Sequence, residues 1–215
     1  MDKQEMYSHI DHTALKAYAT IDDIDKLCQE AISHKMASVC IPSSYISHVF
    51  SKYQGKLRIC TVIGFPLGNA STVAKIEEAR TAILDGADEI DVVINIGRVK
   101  SGDYNYIHEE LSQLRGISKN KILKVIVETC YLTEEELIRL CEIVTEIKAD
   151  YIKTSTGFGS GGARLDDVRI MRKHIGHSVK IKASGGIRTK EELESYISEG
   201  CDRIGTSSAI SMLED

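Results

Sequence analysis

Short apolar segments rich in β-branched residues alternate with longer amphipathic segments along the whole chain. The longer segments have the periodicity of helices that pack one face against a sheet, and the short ones have the length of strands. This alternation predicts an α/β fold in which helices connect the strands of a parallel sheet. The predicted strands span residues 7–12, 37–41, 58–65, 89–95, 122–128, 151–155, 179–184 and 203–206.

Capping motifs and glycines predict where the helices begin and end. Thr133 with Glu136, and Thr189 with Glu192, have the spacing of capping boxes at helix N-termini. Glycine is common just after a helix because it adopts the left-handed conformation at low cost. Four glycines are therefore expected at helix ends: Gly86, Gly116, Gly176 and Gly200. No linker or low-complexity tract interrupts the pattern, so residues 1–215 are predicted to form one domain.

An internal similarity indicates how the sheet is arranged. The fourth, sixth and eighth predicted strands begin ADEIDVV, ADYIKTS and CDRIGTS, which places Asp91, Lys153 and Gly205 at equivalent positions. In a (β/α)8 barrel, one layer of inward side chains comes from alternate strands, so Asp91 and Lys153 are expected to face each other inside. A doubly wound open sheet would also accommodate the alternation. Eight near-regular strand–helix units favour a (β/α)8 TIM barrel.

Two lysines lie in neighbouring predicted strands, Lys153 in DYIKTST and Lys182 in VKIKASGG. Strands covered by helices are normally apolar, so a lysine there must be paired or neutralised. A snorkelling side chain or a simple ion pair would explain either lysine alone. Together they indicate chemistry, because a second ammonium and desolvation both favour a free amine that can attack a carbonyl group. Each lies near the C-terminal end of its strand, where barrel active sites are built.

Asp91 supplies a carboxylate within the apolar segment EIDVVIN. It can neutralise one of the lysines, move protons, or do both. Lys124 and Glu128 lie two residues either side of Ile126, so they are expected to share a face of the fifth strand and extend the polar network. Asp91, Lys153 and Lys182 are thus the candidate catalytic residues.

Glycine and serine residues lie at or just after the ends of the last three predicted strands. Residues 157–162 formally match the dinucleotide motif G-x-G-x-x-G, but the next strand carries lysines where that motif needs an acidic residue. Glycine-rich loops before helices can still bind phosphate through backbone N–H groups, and barrels often place a phosphate site after the last two strands. The alternative is that these are ordinary turn glycines. The candidate phosphate-binding residues are Gly157, Gly185, Gly186, Arg188, Gly205, Ser207 and Ser208.

Composition and charge narrow the classes of partner. The chain has 215 residues, of which 42% are hydrophobic and 27% charged, as in ordinary globular proteins. Its net charge of −5, with scattered Lys and Arg, argues against nucleic acid. No apolar segment approaches the ~18 to 20 residues that cross a bilayer, and the N-terminal segment lacks the apolar stretch of a signal peptide. A soluble cytoplasmic protein that acts on small molecules is expected, as a homodimer or higher homo-oligomer.

The cysteines and histidines do not predict a disulfide framework or a metal site. Six cysteines without a C-x-x-C pair are expected to be reduced thiols, and Cys40, Cys60 and Cys130 to behave as small apolar residues. His9 and His12 are three residues apart in a predicted strand, so they would point to opposite faces. No zinc motif is found, and neither a metal nor a cofactor is expected.

Seven segments together closely resemble the deoxyribose-phosphate aldolase family of the short bacterial type, from about residue 9 to residue 208: IDHT, CTVIGFPLG, ADEIDVVINIG, LKVIVET, DYIKTSTGFG, IKASGGIRT and RIGTSS. The resemblance implies a metal-free (β/α)8 class I aldolase. Such an enzyme reversibly cleaves 2-deoxy-D-ribose 5-phosphate to D-glyceraldehyde 3-phosphate and acetaldehyde, so its partners are a phosphosugar and aldehydes.

The resemblance also implies roles for three residues. Lys153 corresponds to the lysine that forms the Schiff base, Lys182 to the lysine that favours its free-amine form, and Asp91 to the aspartate that relays protons. Two features differ from some members of the family. KASGG stands where they have KPAGG, and the chain ends at SAISMLED where they carry a longer tail that reaches the active site.

Two alternatives remain at the level of sequence. A different Schiff-base lyase on the same barrel could act on another phosphosugar or a keto acid. A non-catalytic protein that binds phosphosugars would use the same loops, but Lys153 would then be inert.

Overall fold

The computed structural model describes residues 1–214 and contains a closed barrel of eight parallel strands in sequential order, β1 to β8. The first strand pairs with the last, so an open doubly wound sheet is excluded and the predicted (β/α)8 barrel is confirmed. The strands are β1 Ile10–Thr13, β2 Ser38–Ile41, β3 Ile59–Ile63, β4 Glu89–Val93, β5 Ile122–Ile126, β6 Tyr151–Lys153, β7 Lys180–Ser184 and β8 Arg203–Thr206.

Helices surround the barrel. The α-helices are α1 Lys3–Ser8, α2 Ile21–Ser33, α3 Ile46–Tyr53, α4 Thr72–Leu84, α5 Ile96–Lys100, α6 Tyr104–Ile117, α7 Glu134–Glu146, α8 Leu165–His174, α9 Lys190–Ser198 and α10 Ala209–Glu214. Short 3-10 helices, Ser43–Tyr45 and Thr129–Tyr131, follow β2 and β5. Within residues 1–214, no helix combines the length and apolar character needed to cross a membrane.

The structure differs from the prediction at the ends of several elements. The segment 7–9 was predicted as part of the first strand, but residue 7 lies in α1, which Asp2 caps by accepting a hydrogen bond from the N–H of Glu5. Met6 and Tyr7 on this helix are buried, so its apolar residues pack against the barrel as a helix face. Several strands also end before their apolar segments do, because buried loop residues continue the apolar pattern.

The predicted capping boxes at Thr133 and Thr189 are present, and a third at Thr20 was not predicted. Gly86 and Gly200 follow helices with positive φ angles, as expected. Gly116 was predicted to follow a helix, but it lies in the last turn of α6, which continues to Ile117. Glycine is tolerated there because the helix is near its end. A Cβ atom would meet nothing within 4 Å, so no close contact requires glycine at this position.

Alternation along each strand separates two buried regions. Outward residues such as Val92, Val125 and Ile152 pack against the helices in one continuous apolar core. Inward positions carry a different set, since the register pairs Asp91 with Lys124 and Lys153 with Lys182. Successive residues of a strand point to opposite sides, so each strand contributes to both regions. The outer apolar core stabilises the barrel, and polar side chains occupy the interior.

Candidate active site

The barrel interior holds a compact cluster of buried charged side chains. Its acidic members are Asp11, Glu89 and Asp91, and its basic members are Lys124, Lys153, Lys182 and Arg203. All of them are carried by strands, so the sheet fixes their positions. An isolated buried charge is costly, and the cluster is therefore stable only because each charge meets opposite charges.

Asp91 lies at the centre of the three lysines. Its Oδ1 accepts a hydrogen bond from the Nζ of Lys124 at 2.7 Å. Its Oδ2 accepts from the Nζ of Lys153 at 2.9 Å and from the Nζ of Lys182 at 2.8 Å. The prediction that Asp91 and Lys153 face each other is therefore confirmed. The two lysines share a single carboxylate oxygen, which brings their ammonium groups into the same small volume.

The carboxylates hold Lys182 in its charged form. Burial alone would lower the pKa of Lys182, but Asp11 and Asp91 outweigh burial and raise that pKa above its usual value. The Nζ of Lys182 lies 2.5 Å from Asp11 Oδ2 in addition to its contact with Asp91. Lys182 is thus a fixed ammonium beside Lys153.

The same contacts keep Asp91 ionised. Burial would raise the pKa of Asp91, yet the positive charges of Lys124, Lys153 and Lys182 hold it well below its usual value. Asp91 in this state can accept a hydrogen bond or a proton but has none to donate. Its resting role is therefore that of an acceptor.

A second group of charges lies on the side of the cluster away from Lys153. Lys124 contacts Glu89 at 2.6 Å, and Arg203 pairs with Asp11 and, at 3.2 Å, with Glu89. Asp11, Glu89 and Arg203 were not predicted from the sequence. A signal was available for two of them, because Glu89 and Arg203 lie two residues before Asp91 and Gly205 and so share their inward face.

The cluster contains one more basic group than acidic groups when all are ionised. Loss of one proton from a lysine would balance it. Lys124 and Lys182 each contact at least two carboxylates, whereas in the described part of the chain Lys153 pairs with Asp91 alone. The side chain of Lys153 is 4% exposed, and those of Lys124 and Lys182 are 0% exposed. Lys153 therefore loses the fewest ion pairs when it becomes a free amine.

Lys124 extends the network as predicted, but Glu128 does not. Strand β5 ends at Ile126, and Glu128 has a φ of 55°, which turns it out of the strand alternation. Its carboxylate accepts hydrogen bonds from the N–H and the hydroxyl of Thr156. The prediction that Lys124 and Glu128 share a face of β5 is wrong, because the strand ends two residues before Glu128. Glu128 instead binds Thr156 in the loop after β6.

The glycine loops after β6 and β7 pack backbone against backbone. Gly157, Gly185 and Gly186 have φ angles of +83°, +87° and +83°, a region that favours glycine. A Cβ atom on Gly162 would lie 2.1 Å from the carbonyl oxygen of Gly185. The close approach therefore depends on glycine, and it holds the two loops together at the C-terminal end of the barrel.

The remaining candidate phosphate residues lie on the last two strand–helix connections. Ser207 is exposed and Ser208 half-buried directly after β8, where the N–H of Ser208 donates to Thr206 Oγ1 at 3.1 Å. Arg188 is exposed in the loop before α9, and its N–H donates to Glu192. Gly205 lies within β8, where a Cβ atom would come 3.1 Å from Cε of Lys182. Its missing side chain thus leaves room for that lysine.

The opposite wall of the interior is apolar. Cys40, Cys60 and Val62 on β2 and β3 form a small cluster, against which Leu15 and Phe65 pack. Phe65 also meets Phe158 of the β6 loop in an edge-to-face contact, with ring centroids 5.2 Å apart. These residues were not predicted as part of a site. They give the interior an apolar side on β2 and β3, and a charged side on β4 to β8 and β1.

The histidines at the N-terminus do not share a site. His9 Nδ1 contacts the carbonyl oxygen of Asp202 at 2.9 Å, and His12 Nε2 contacts Glu30 at 2.7 Å. Among residues 1–214, two groups of three donor atoms lie within 4.8 Å of one another: Cys40, Cys60 and Asp91, and Asp11, Cys60 and Glu89. Their carboxylates already pair with lysine or arginine, so neither group offers a divalent cation a free set of ligands.

Comparison with known proteins identifies relatives over nearly the whole chain. The model of the DeoC/LacD family aldolase matches residues 1–212. A deoxyribose-phosphate aldolase of Clostridium botulinum is 56% identical, covering 100% of this chain and 97% of that protein. One of Clostridioides difficile is 50% identical, covering 96% and 94%. The structure of a tetrameric deoxyribose phosphate aldolase from Aeropyrum pernix superposes with a TM-score of 0.93 at 31% identity, covering 99% and 91%.

Proposed function

Because the chain belongs to the DeoC/LacD family of aldolases, we propose that it is a class I aldolase acting on 2-deoxy-D-ribose 5-phosphate. It cleaves this sugar reversibly to D-glyceraldehyde 3-phosphate and acetaldehyde. The observation that carries the proposal is the buried Lys153 at the C-terminal end of β6, which shares an oxygen of Asp91 with the fixed ammonium of Lys182. Relatives at 50% to 56% identity bear the name of this activity.

Lys153 is the nucleophile in this proposal. Its free amine attacks the C1 aldehyde of the open-chain sugar phosphate, and loss of water leaves a protonated imine. Lys182 favours the free amine because a second positive charge beside a protonated Lys153 is repulsive. Of the three interior lysines, Lys153 is also the one with measurable exposure, so the substrate can reach it.

The carbon–carbon bond breaks next. The C3 hydroxyl loses its proton, the C2–C3 bond breaks, and C3 leaves as the aldehyde of glyceraldehyde 3-phosphate. The electron pair of the bond moves to the iminium and leaves a two-carbon enamine on Lys153. Protonation of C2 and hydrolysis then release acetaldehyde and the free amine.

Asp91 and Lys182 serve the proton transfers through ordered water. Asp91 is the acceptor, since its resting carboxylate is ionised and buried among donors. Lys182 contributes a permanent positive charge and N–H donors. The apolar wall of Val62, Leu15 and Phe65 suits a two-carbon fragment that carries no hydroxyl group.

The loops after β6, β7 and β8 bind the phosphate in this proposal. Backbone N–H groups of Gly157, Gly185, Gly186 and Gly205 act with the hydroxyls of Ser207 and Ser208, and Arg188 adds a guanidinium. Two observations support this: the glycine loops interlock at the C-terminal end of the barrel, and Ser207 and Ser208 follow β8 directly. Binding of the remote phosphate then positions the reacting carbons.

Further features of the proposal concern the whole protein. Residues 1–215 form one catalytic domain, which works without a metal or other cofactor and forms a homodimer or higher homo-oligomer. The tetrameric relative from Aeropyrum pernix supports self-association, and light scattering would measure it. A cytoplasmic location accords with the free cysteines of the structure. Fractionation of cells would test that location.

A turnover assay tests the proposal. Purified enzyme should release acetaldehyde from 2-deoxy-D-ribose 5-phosphate and keep this activity after prolonged exposure to EDTA. Activity that EDTA abolishes and zinc restores would contradict the Schiff-base mechanism. A faster reaction with another phosphosugar or a keto acid would reassign the substrate, and binding without any turnover would mean a non-catalytic protein.

A further inference from the structure

Two cysteines form a pair on the apolar wall of the barrel interior. Cys40 on β2 and Cys60 on β3 are direct partners in the register of these neighbouring strands, and both are fully buried. Their sulfur atoms lie within 4.8 Å of each other and of a carboxylate oxygen of Asp91. Neighbouring strands are about 4.8 Å apart, which falls within the Cα separations that a disulfide spans.

The surroundings make the two thiols unequal. The Cys60 thiol, together with the ammonium group of Lys182, holds the pKa of Cys40 below its usual value. Burial and the nearby Asp91 raise the pKa of Cys60. A thiol with a lowered pKa beside one with a raised pKa is the arrangement of a reactive cysteine and its resolving partner.

We propose that Cys40 and Cys60 form an oxidisable dithiol that hydroperoxides convert to a disulfide inside the active site. The Cys40 thiolate attacks one peroxide oxygen and the O–O bond breaks. That oxygen stays on sulfur as a sulfenic acid, while the other takes up the proton that the thiol lost and leaves as water or an alcohol. The sulfur of Cys60 then attacks the sulfenic acid on Cys40, its proton combines with the departing hydroxide, and an S–S bond forms. In total, two thiols lose two electrons and two protons to the peroxide.

A small oxidant can reach the pair by the route that the substrate takes. A sugar phosphate must reach Lys153, and Lys153 contacts the carboxylate of Asp91. The same carboxylate lies beside both sulfur atoms. Hydrogen peroxide is much smaller than the sugar. The buried position thus limits the site to small oxidants and does not close it.

Disulfide formation would alter the contacts of Asp91. The thiol of Cys60 donates to Asp91 Oδ1 at 3.2 Å and lies 3.1 Å from the Nζ of Lys124. A disulfide removes the S–H donor and draws the sulfur toward Cys40. Because Asp91 serves the proton transfers in the proposed mechanism, we expect the loss of one such hydrogen bond from the transition state to lower kcat about tenfold.

Peptide mapping of peroxide-treated enzyme tests the proposal. Trypsin releases Cys40 in residues 36–52 and Cys60 in residues 59–75, and each peptide contains one cysteine. After brief exposure to hydrogen peroxide and alkylation without reductant, the two peptides should appear joined, two hydrogens lighter than their sum. Activity should fall about tenfold in parallel and return with dithiothreitol.

Matched variants separate this pair from the other cysteines. The Cys130→Ala enzyme should lose and regain activity like the unmodified protein, because Cys130 lies in the 3-10 helix after β5. The Cys60→Ala enzyme should show no loss that dithiothreitol reverses. A joined peptide with unchanged activity, a joined peptide that involves another cysteine, or sulfinic acid on Cys40 without the joined peptide would each overturn the proposal. The mapping needs no turnover, so its result is independent of the substrate assignment.

Discussion

In the proposed mechanism, the contacts of single side chains decide which lysine reacts. Lys124 and Lys182 are held by at least two carboxylates each, while Lys153 shares Asp91 with both of them. The sequence predicted the pair Lys153 and Lys182 because a lysine in a covered strand is unusual. It did not predict the partner on β1, since Asp11 lies in a short segment whose inward face becomes evident only when the barrel closes.

Lys182→Met should reduce kcat by about a hundredfold at neutral pH, since the fixed ammonium that disfavours protonated Lys153 is lost. Activity should recover as the pH is raised, because a higher pH favours the free amine of Lys153 without the help of a neighbouring ammonium. A pH profile of kcat/KM measures this. An equal loss at every pH would assign Lys182 a purely structural role.

Ser208→Glu should raise KM for 2-deoxy-D-ribose 5-phosphate strongly, because a carboxylate would repel the phosphate in a half-buried loop. KM for unphosphorylated deoxyribose should change much less. Ser178→Glu is the matched control, as Ser178 is exposed before β7 at the other end of the barrel. Equal effects on both sugars would mean that the loop after β8 does not bind phosphate.

At the scale of elements, strands and long helices followed from the sequence, and their ends did not. The apolar pattern placed all eight strands, because period and length distinguish them from helices. It placed residue 7 in a strand and Glu128 in β5, since burial continues beyond the last strand hydrogen bond. The interlocking of the β6 and β7 loops could not be predicted, because it depends on a backbone approach between Gly162 and Gly185.

Gly162→Ala should destabilise the protein by about 1 to 3 kcal/mol and raise KM for the phosphosugar, because the added methyl group must push Gly185 away. Gly116→Ala, the control, should stabilise it by about 0.5 to 1 kcal/mol, since Gly116 is helical with open space around it. Urea denaturation and steady-state kinetics measure both effects. An unaltered stability for Gly162→Ala would show that the loops separate readily.

At the scale of the whole molecule, the interior charges tie stability to pH. The pKa of Asp11 is lowered below its usual value by Lys182, Lys124 and Arg203, which outweigh burial, and that of Asp91 is also lowered. A carboxyl group whose pKa is lower in the folded state stabilises the protein above its unfolded pKa, near 3.9. This stabilisation is lost as the pH falls below that value, because the unfolded chain then binds more protons.

The free energy of unfolding should therefore decrease steeply below about pH 4. In the Asp11→Asn protein the decrease should be shallower by up to about 1.4 kcal/mol per pH unit, since one such carboxyl is gone. Asp166→Asn, at a side chain that is 82% exposed, should change the slope less. Urea denaturation from pH 3 to pH 6 gives the slopes. Identical slopes for both variants would show that Asp11 does not couple folding to protons.

The covalent intermediate on Lys153 is the claim on which the proposed function depends. Reduction with borohydride in the presence of acetaldehyde should add a two-carbon group to Lys153 and to no other lysine. Because trypsin does not cleave after an alkylated lysine, residues 149–164 should appear as one peptide carrying the added mass. Unmodified Lys153, with the two-carbon group found on Lys182 or on no lysine, would contradict the account.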